Sequence, residues 1–140
     1  MTLLAWVFPE NTDGPIFNYG VDYFGVHLWV GGGYLFCRFT ERSGMYPSPL
    51  HSGPLKRDAW NFVGASYDYV TGAEKLWIEG KVYEEQNIGT LELHTYGAVR
   101  MGVLTGDDRF LKGRLSCMQV YNKALTEREV HAVKIGRAHV

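Results

Sequence analysis

Short stretches that alternate apolar and polar residues, each followed by a turn rich in glycine, asparagine or aspartate, run along almost the whole chain. An alternation with a period of two is typical of strands that bury one face. Aromatic residues and frequent glycines also favour strands joined by tight turns. The pattern therefore predicts an all-β domain. Strands are predicted at residues 3–8, 15–19, 23–30, 34–40, 60–68, 73–79, 81–86, 90–95, 97–103 and 110–122.

Three segments depart from the strand pattern. The triple glycine Gly31–Gly33 lies between two predicted strands, so it is interpreted as a hairpin turn. A phosphate-binding glycine loop would open a helix instead. Residues 41–58 hold three of the five prolines and are predicted to be one long irregular loop. Thr126 and Glu129 have the spacing of a capping box and predict a short helix over residues 127–133.

Length and charge limit the class of protein. The 140 residues fit one domain, and no repeat or linker divides them. The formal net charge is −1 with basic residues scattered among acids, whereas a nucleic-acid-binding protein needs a basic stripe that neutralises phosphates. No stretch reaches the ~18 apolar residues of a membrane span. We therefore expect neither nucleic-acid binding nor a membrane span, and the apolar residues 1–8 are interpreted as a strand and not as an export signal.

Two longer segments carry a resemblance to a known superfamily. Residues 58–68 (DAWNFVGASYD), followed by residues 76–81 (LWIEGK), are similar to a hairpin of laminin-G-like, pentraxin-like and concanavalin A-like domains. Residues 110–126 (FLKGRLSCMQVYNKALT) resemble the ending of the same domains, and residues 4–7 (LAWV) resemble an early strand. The resemblance implies a two-sheet antiparallel jelly-roll sandwich of the concanavalin A-like type, with one short C-terminal helix.

The resemblance also implies the extent of the domain and the place of its largest residues. The laminin-G-like domain is expected to cover residues 1–135, with a tail at residues 136–140. Trp6, Trp60 and Trp77 are expected to fill the space between the two sheets. Members of the superfamily usually carry additional strands before the first matched strand, so an exposed sheet edge and self-association through that edge are expected.

The carboxylates and nucleophiles of the sequence favour a binding module over an enzyme. Glycan hydrolases of this superfamily need two closely spaced carboxylates. Here Glu84 and Glu85 point to opposite sides of a strand, while Glu127 and Glu129 lie on the predicted helix. Cys117 has no histidine nearby in sequence. No catalytic residue is therefore predicted.

The resemblance then implies the function. We expect a non-catalytic adhesion module, extracellular or at the cell surface, that recognises a glycan or a matrix-type protein ligand. Two alternatives stay open. One is a structural module that assembles with copies of itself, and the other is a divergent glycan hydrolase that brings acids together from distant strands.

Aspartates near turns are the candidates for calcium, which many members of the superfamily hold at the rim of the sandwich. Calcium prefers six to eight oxygen ligands, and loop carboxylates supply them. Asp107 and Asp108 form the candidate pair, and Asp22 lies in another turn that could assist. The alternative interpretation is that aspartate simply favours turns.

Aromatic side chains near the rims are the candidates for ligand binding. Their faces stack on sugar C–H groups, and their polar atoms supply hydrogen bonds. The alternative is that these aromatic side chains belong to the core of the sandwich. The candidates are Tyr23, Trp29, Tyr34 and Tyr46.

The two cysteines, Cys37 and Cys117, both lie in predicted strands. The last strand is predicted to place Leu115, Cys117, Gln119 and Tyr121 on one face. Two alternatives stay open for the thiols. Both can be free, since cysteine is often a small core residue. They can also form a disulfide that closes a long loop, which would imply an oxidising compartment.

Overall fold

The computed structural model describes residues 1–11, 13–20, 25–45, 47–104 and 107–138. Within these residues the chain forms ten strands and one helix, α1 (Glu127–Ala138). The strands are β1 (Thr2–Pro9), β2 (Gly14–Tyr19), β3 (Val26–Gly31), β4 (Tyr34–Phe39), β5 (Leu50–Pro54), β6 (Asn61–Tyr67), β7 (Ala73–Ile78), β8 (Lys81–Asn87), β9 (Val99–Met101) and β10 (Gly113–Tyr121).

The strands form two antiparallel sheets of five. Sheet A has the order β10-β1-β6-β7-β8, and sheet B has the order β5-β4-β3-β2-β9. Because β5 lies against β7 and β8 while β4 lies against β6 and β7, the two sheets face each other as the layers of a sandwich. Strands β10 and β9 consequently end the two sheets on the same side. The predicted two-sheet antiparallel jelly-roll sandwich with one short C-terminal helix is confirmed.

The main hydrophobic core fills the space between the sheets. Successive side chains of a strand point to opposite faces, so Leu3, Ala5 and Val7 of β1 point inwards together. Burying a large apolar side chain contributes about 1.5–3 kcal/mol, and slipping a strand by one residue would expose its whole buried set. The core therefore fixes which side chains sheet B presents outwards. Sheet B contributes Ile16, Phe17, Val26, Leu28, Val30, Leu35, Cys37, Phe39 and Leu50 to this core.

Helix α1 covers a second hydrophobic core on the outer face of sheet A. The Thr126 hydroxyl accepts the backbone N–H of Glu129 at 3.2 Å, and the Glu129 carboxylate accepts that of Thr126 at 3.0 Å, which confirms the predicted capping box. The helix runs through Ala138, so residues 136–138 of the expected tail are helical. No helix among the described residues is long and apolar enough to cross a membrane. The second core consists of Leu4, Phe62, Trp77, Leu125 and Val130.

The tryptophans do not lie where the sequence predicted them. Trp77 is fully buried, but it belongs to the core beneath α1, and Trp6 packs against that same core. Trp60 is 40% exposed and contacts Phe8, with 5.5 Å between ring centroids. The prediction that all three fill the space between the sheets was wrong. Strand alternation explains Trp77, because its neighbour Leu76 takes the inward position.

Two segments differ from their predicted secondary structure. The loop predicted at residues 41–58 contains β5, which pairs with β4. Its Ser52 hydroxyl accepts the backbone N–H of Leu35 at 2.9 Å. Proline is tolerated at the end of an edge strand, so Pro54 does not prevent this pairing. The strand predicted at residues 90–95 is absent from the described structure, where Leu93 forms one isolated bridge.

A β-bulge in β10 changes the predicted faces of that strand. The pairing register with β1 shifts between Leu4 and Trp6, opposite Cys117, whose φ is 53°. An extra residue in a strand reverses the alternation beyond it. Leu115 therefore packs against the core between the sheets, whereas Tyr121 packs against the core beneath α1, and the prediction of one shared face was wrong.

Both cysteine thiols are free. Cys37 is buried on the inner face of sheet B, and Cys117 is half-buried in the edge strand of sheet A. Of the two alternatives left open by the sequence, the structure has the free thiols and not the disulfide.

Candidate functional site

The two sheets present different outer faces. The outer face of sheet A packs beneath α1, as described above. The outer face of sheet B carries an open cleft of about 210 Å³. Because Val26, Leu28 and Val30 of β3 point into the core, the side chains between them must point out of the sandwich. The cleft is lined by His27, Trp29, Phe36, Arg38 and Arg109.

Aromatic rings form a row across three strands at this cleft. Trp29 of β3 pairs with Phe36 of β4, which in turn pairs with His51 of β5. The ring centroids are 6.0 Å apart for Trp29 and Phe36 and 5.8 Å apart for Phe36 and His51. Beside this row, His27 and Arg38 form the next cross-strand pair. The result is an aromatic surface with polar groups along one side.

Arg109 covers the largest ring of that surface. Its guanidinium lies over Trp29, 4.6 Å from the ring centroid, in the geometry of a cation–π contact. Asp107 holds the guanidinium with hydrogen bonds of 3.0 Å to Nε and 2.7 Å to the terminal nitrogen. The Trp29 indole N–H donates to Asn18 at 2.7 Å. Trp29 is only 2% exposed as a result, so one wall of the cleft is a fixed arginine stacked on a fixed tryptophan.

The strands of sheet B carry basic groups without acidic ones. They contain two arginines and two histidines but no aspartate or glutamate. Arg100 of β9 pairs with Asn18 of β2 and shares its face. The strands of sheet A contain three glutamates, two lysines and one arginine, so their charges balance and the excess of positive charge is found in the strands of sheet B. The four basic residues of sheet B are His27, Arg38, His51 and Arg100.

The most perturbed carboxylate of the described chain lies away from this cleft. Glu74 is fully buried on β7, where it faces the core between the sheets. Its carboxylate accepts hydrogen bonds from Gln86 at 2.8 Å and from the Cys37 thiol at 3.5 Å. Burial raises the pKa of Glu74 to about 7, against the opposing effect of these hydrogen bonds. Sheet B separates Glu74 from the cleft, whose described lining contains no carboxylate.

Comparison with known proteins decides the family. A laminin-G-like family model, described as the Concanavalin A-like lectin/glucanases superfamily, matches residues 1–131. The chain belongs to this superfamily. The resemblance inferred from the sequence motifs is thereby confirmed. Comparison with curated proteins gives no significant match.

Solved structures share the fold of this concanavalin A-like domain at low sequence identity. The receptor binding domain of botulinum neurotoxin D has a TM-score of 0.77 at 18% identity, covering 97% of this chain and 37% of its own. A proposed carbohydrate binding protein from Bacteroides ovatus ATCC 8483 has a TM-score of 0.74 at 18% identity, covering 93% of this chain and 39% of its own.

A smaller protein has the same arrangement. The heptameric SAP-like pentraxin from Limulus polyphemus has a TM-score of 0.70 at 18% identity, covering 95% of this chain and 68% of its own. The domain thus spans less than two fifths of the length of the toxin and Bacteroides chains. These likenesses establish the fold.

The aromatic residues predicted to bind ligand fall into two groups. Trp29 lines the cleft, although Arg109 covers its ring. Tyr34 is 43% exposed at the start of β4, beside the Gly31–Gly33 turn. Tyr23 and Tyr46 lie outside the described residues.

The aspartates predicted for calcium are not gathered into a site by the described structure. Both oxygens of Asp107 hydrogen-bond to Arg109, and Asp108 is exposed beside them. No group of three or more metal-ligating side chains occurs among the described residues, and Asp22 lies outside them. As it stands, the described part of this loop does not fit calcium, because the ion would have to displace the Arg109 guanidinium.

Several residues of the cleft were missed by the sequence analysis. The order Tyr34, Phe36, Arg38 alternates with the inward Leu35 and Cys37, so the strand pattern contained this signal. His51 was assigned to a loop, since the prolines around it concealed β5. Arg109 comes from a distant part of the chain, and a local pattern does not predict such a contact.

Proposed function

We propose that this domain is a non-catalytic binding module that holds a glycan on the outer face of sheet B. The observation that carries the proposal is the open cleft in which Trp29, Phe36 and Arg38 lie together. Sugars present both C–H faces, which pack on aromatic rings, and hydroxyl groups, which bind polar side chains. A concave cleft of about 210 Å³ fits a sugar residue of a glycan better than the broad surface of a folded matrix protein.

The structural neighbours agree with a binding role. One is named as a receptor binding domain and another as a proposed carbohydrate binding protein. Such ligands occur outside cells or on their surfaces, so we extend the proposal to an extracellular or cell-surface setting. Because fold alone does not determine function, the proposed glycan binding is based on the cleft, and the structural neighbours give it additional support.

Catalysis receives less support than binding. Glycoside hydrolysis uses two carboxylates that flank the scissile bond. The described lining of the cleft offers arginine, histidine and aromatic groups instead. Glu74 has the raised pKa of a general acid, but it is fully buried behind sheet B and would not reach a bound sugar.

A glycan array followed by calorimetric titration tests the proposal. The variant Phe36→Leu keeps an apolar side chain in the cleft but removes the ring, which we expect to weaken binding two- to tenfold at ~0.5–1.5 kcal/mol for an aromatic contact. Tyr83→Leu is the matched control, since Tyr83 is 54% exposed on sheet A. Silence across the array, or equal losses in both variants, would count against a glycan site on sheet B.

Self-assembly is the second candidate function. Strands β10 and β9 end the two sheets on the same side, so both edges have unpaired backbone groups there. Val99, Met101 and Val120 on these strands are each more than half exposed. A second copy of the chain would cover this apolar side. Light scattering that reports a monomer at high concentration would remove this candidate.

A further inference from the structure

Loops at one end of the sandwich enclose a small pocket that shares no lining residue with the cleft of sheet B. Its volume is about 190 Å³. The loop between β4 and β5 supplies one wall, and the segment that follows β8 supplies the other. The pocket is lined by Glu41, Met45, Pro47, Ile88 and Leu91. Its lining is therefore apolar apart from one carboxylate.

Backbone contacts fix the position of Glu41 in this wall. Its N–H donates to the carbonyl of Met45 at 2.8 Å, and its carbonyl accepts the N–H of Gly44 at 2.8 Å. The half-buried carboxylate of Glu41 has no hydrogen bond or ion pair within the described part of the chain. The adjacent Arg42 is paired with Glu92, 3.9 Å away. The pocket thus presents a negative charge beside apolar groups.

Other acidic residues lie at the same end of the sandwich. Asp68 begins the turn between β6 and β7, and this turn bonds to the pocket where the Gly72 carbonyl accepts the N–H of Ile88 at 2.9 Å. Beneath the β4–β5 loop, Gln86 donates to the Ser48 carbonyl at 2.7 Å and to the buried Glu74 at 2.8 Å. Such a group of acids attracts a cationic ligand and repels an anionic one.

The size and lining of the pocket fit an ammonium group on an unbranched apolar stem. At about 30 Å³ for each water-sized group, the pocket holds roughly six heavy atoms, which is about the size of a lysine side chain beyond its Cα. Lysine packs its methylene stem along apolar surface while its ammonium donates to an acceptor. We propose that the pocket binds a lysine side chain of a protein partner, with the stem against Ile88 and Leu91 and the ammonium on the Glu41 carboxylate.

Phosphatidylethanolamine also carries an ammonium group, but it fits this pocket less well. A short link joins its ammonium to a phosphate, so the phosphate would come close to the acids at this end of the sandwich. The stem of lysine, in contrast, carries no charge of its own and matches the apolar lining.

A matched pair of probes tests the proposal. N-acetyl-lysine methylamide is compared with N-acetyl-norleucine methylamide, which has a stem of similar length and ends in a methyl group. We expect the lysine probe to bind about tenfold or more tightly, since a hydrogen bond to a charged group adds to the apolar contact. In nuclear magnetic resonance titrations, it should shift the methyl signals of Met45, Ile88 and Leu91.

Variants assign the preference for lysine to Glu41. Glu41→Gln should bind the two probes about equally, and Glu41→Asp should restore part of the preference because the charge returns on a shorter side chain. Glu127→Gln, at an exposed position in the first turn of α1, is the matched control and should keep the full preference. Thermal melting of each variant establishes that it is folded.

The result does not depend on glycan binding, because the pocket and the cleft share no lining residue. Equal binding of both probes to the parent protein, or binding of neither, would overturn the proposal. So would an equal loss in Glu41→Gln and Glu127→Gln, because the probe would then respond to general surface charge. Vesicles of phosphatidylethanolamine that bind through Glu41 while the lysine probe does not would assign the pocket to a lipid instead.

Discussion

The buried carboxylate of Glu74 should make the fold less stable as the pH rises, and the substitution Glu74→Gln should remove this pH dependence. Burial raises the pKa of Glu74 from 4.5 to about 7. Between these values the folded protein binds a proton that the unfolded chain releases, so stability falls as the pH rises and is lowest above about pH 7. A pKa change of one corresponds to about 1.4 kcal/mol, so the raised pKa of Glu74 corresponds to about 3 kcal/mol in the free energy of unfolding.

The variant Glu74→Gln reproduces the protonated side chain at every pH. Its amide oxygen can accept the hydrogen bond from Gln86, and its amide NH₂ faces the Cys37 sulfur. Urea unfolding of both proteins at about pH 5 and about pH 8 gives the difference in their free energies of unfolding. That difference should shift in favour of Glu74→Gln by about 2.5 kcal/mol between pH 5 and pH 8, because part of the effect already lies below pH 5. The contributions of other titrating groups cancel between the two proteins.

Glu85→Gln is the control for this experiment, because Glu85 is exposed on the neighbouring strand β8. Its difference from the parent protein measures the effect of removing a surface carboxylate at each pH. A difference for Glu74→Gln that changes with pH no more than that of Glu85→Gln would refute the reasoning, since it would mean that Glu74 titrates alike in the folded and unfolded chain.

Further predictions concern packing and the loop that carries Arg109. Trp77→Ala should destabilise the fold by about 3–5 kcal/mol in urea unfolding, since Trp77 is fully buried beneath α1. Trp60→Ala, at a site that is 40% exposed, should destabilise it much less, and equal losses of stability would contradict the second core. Gly64→Ala should prevent close pairing of β6 with β1, because the new Cβ would clash with the backbone oxygen of Leu3, and an unchanged melting midpoint would contradict that packing. Calcium at millimolar concentration should leave the melting midpoint unchanged while Asp107 holds Arg109; a rise that Asp107→Ala abolishes would show that the ion takes this carboxylate instead.

The sequence predicted the fold because its strongest signals are local. Nine of the ten predicted strands overlap an observed one at the same place in the chain, and the capping box of Thr126 and Glu129 forms as expected. The errors arise where a local pattern is compatible with two different placements of the same side chain. Strand alternation places Trp77 opposite Leu76 but does not say which sheet face a helix will cover. A bulge at Cys117 likewise reverses the faces of β10 through a single residue.

The candidate site was less predictable than the fold. Trp29 was among the predicted ligand residues, and the alternation of β4 could have added Phe36 and Arg38. Arg109, however, reaches Trp29 from 80 positions further along the chain. Contacts of that kind depend on the complete packing of the sandwich. Motif spacing therefore identifies the superfamily but does not locate its cleft.

Nuclear magnetic resonance of the four tryptophan indole N–H groups tests directly whether a glycan binds on the outer face of sheet B. Trp29 donates its N–H to Asn18 at the cleft, whereas Trp77 donates to Ser66 beneath α1. Addition of a bound glycan should shift the Trp29 signal and leave the Trp77 signal in place. Binding that moves the Trp77 signal, or that leaves Trp29 unmoved, would contradict a site on this face.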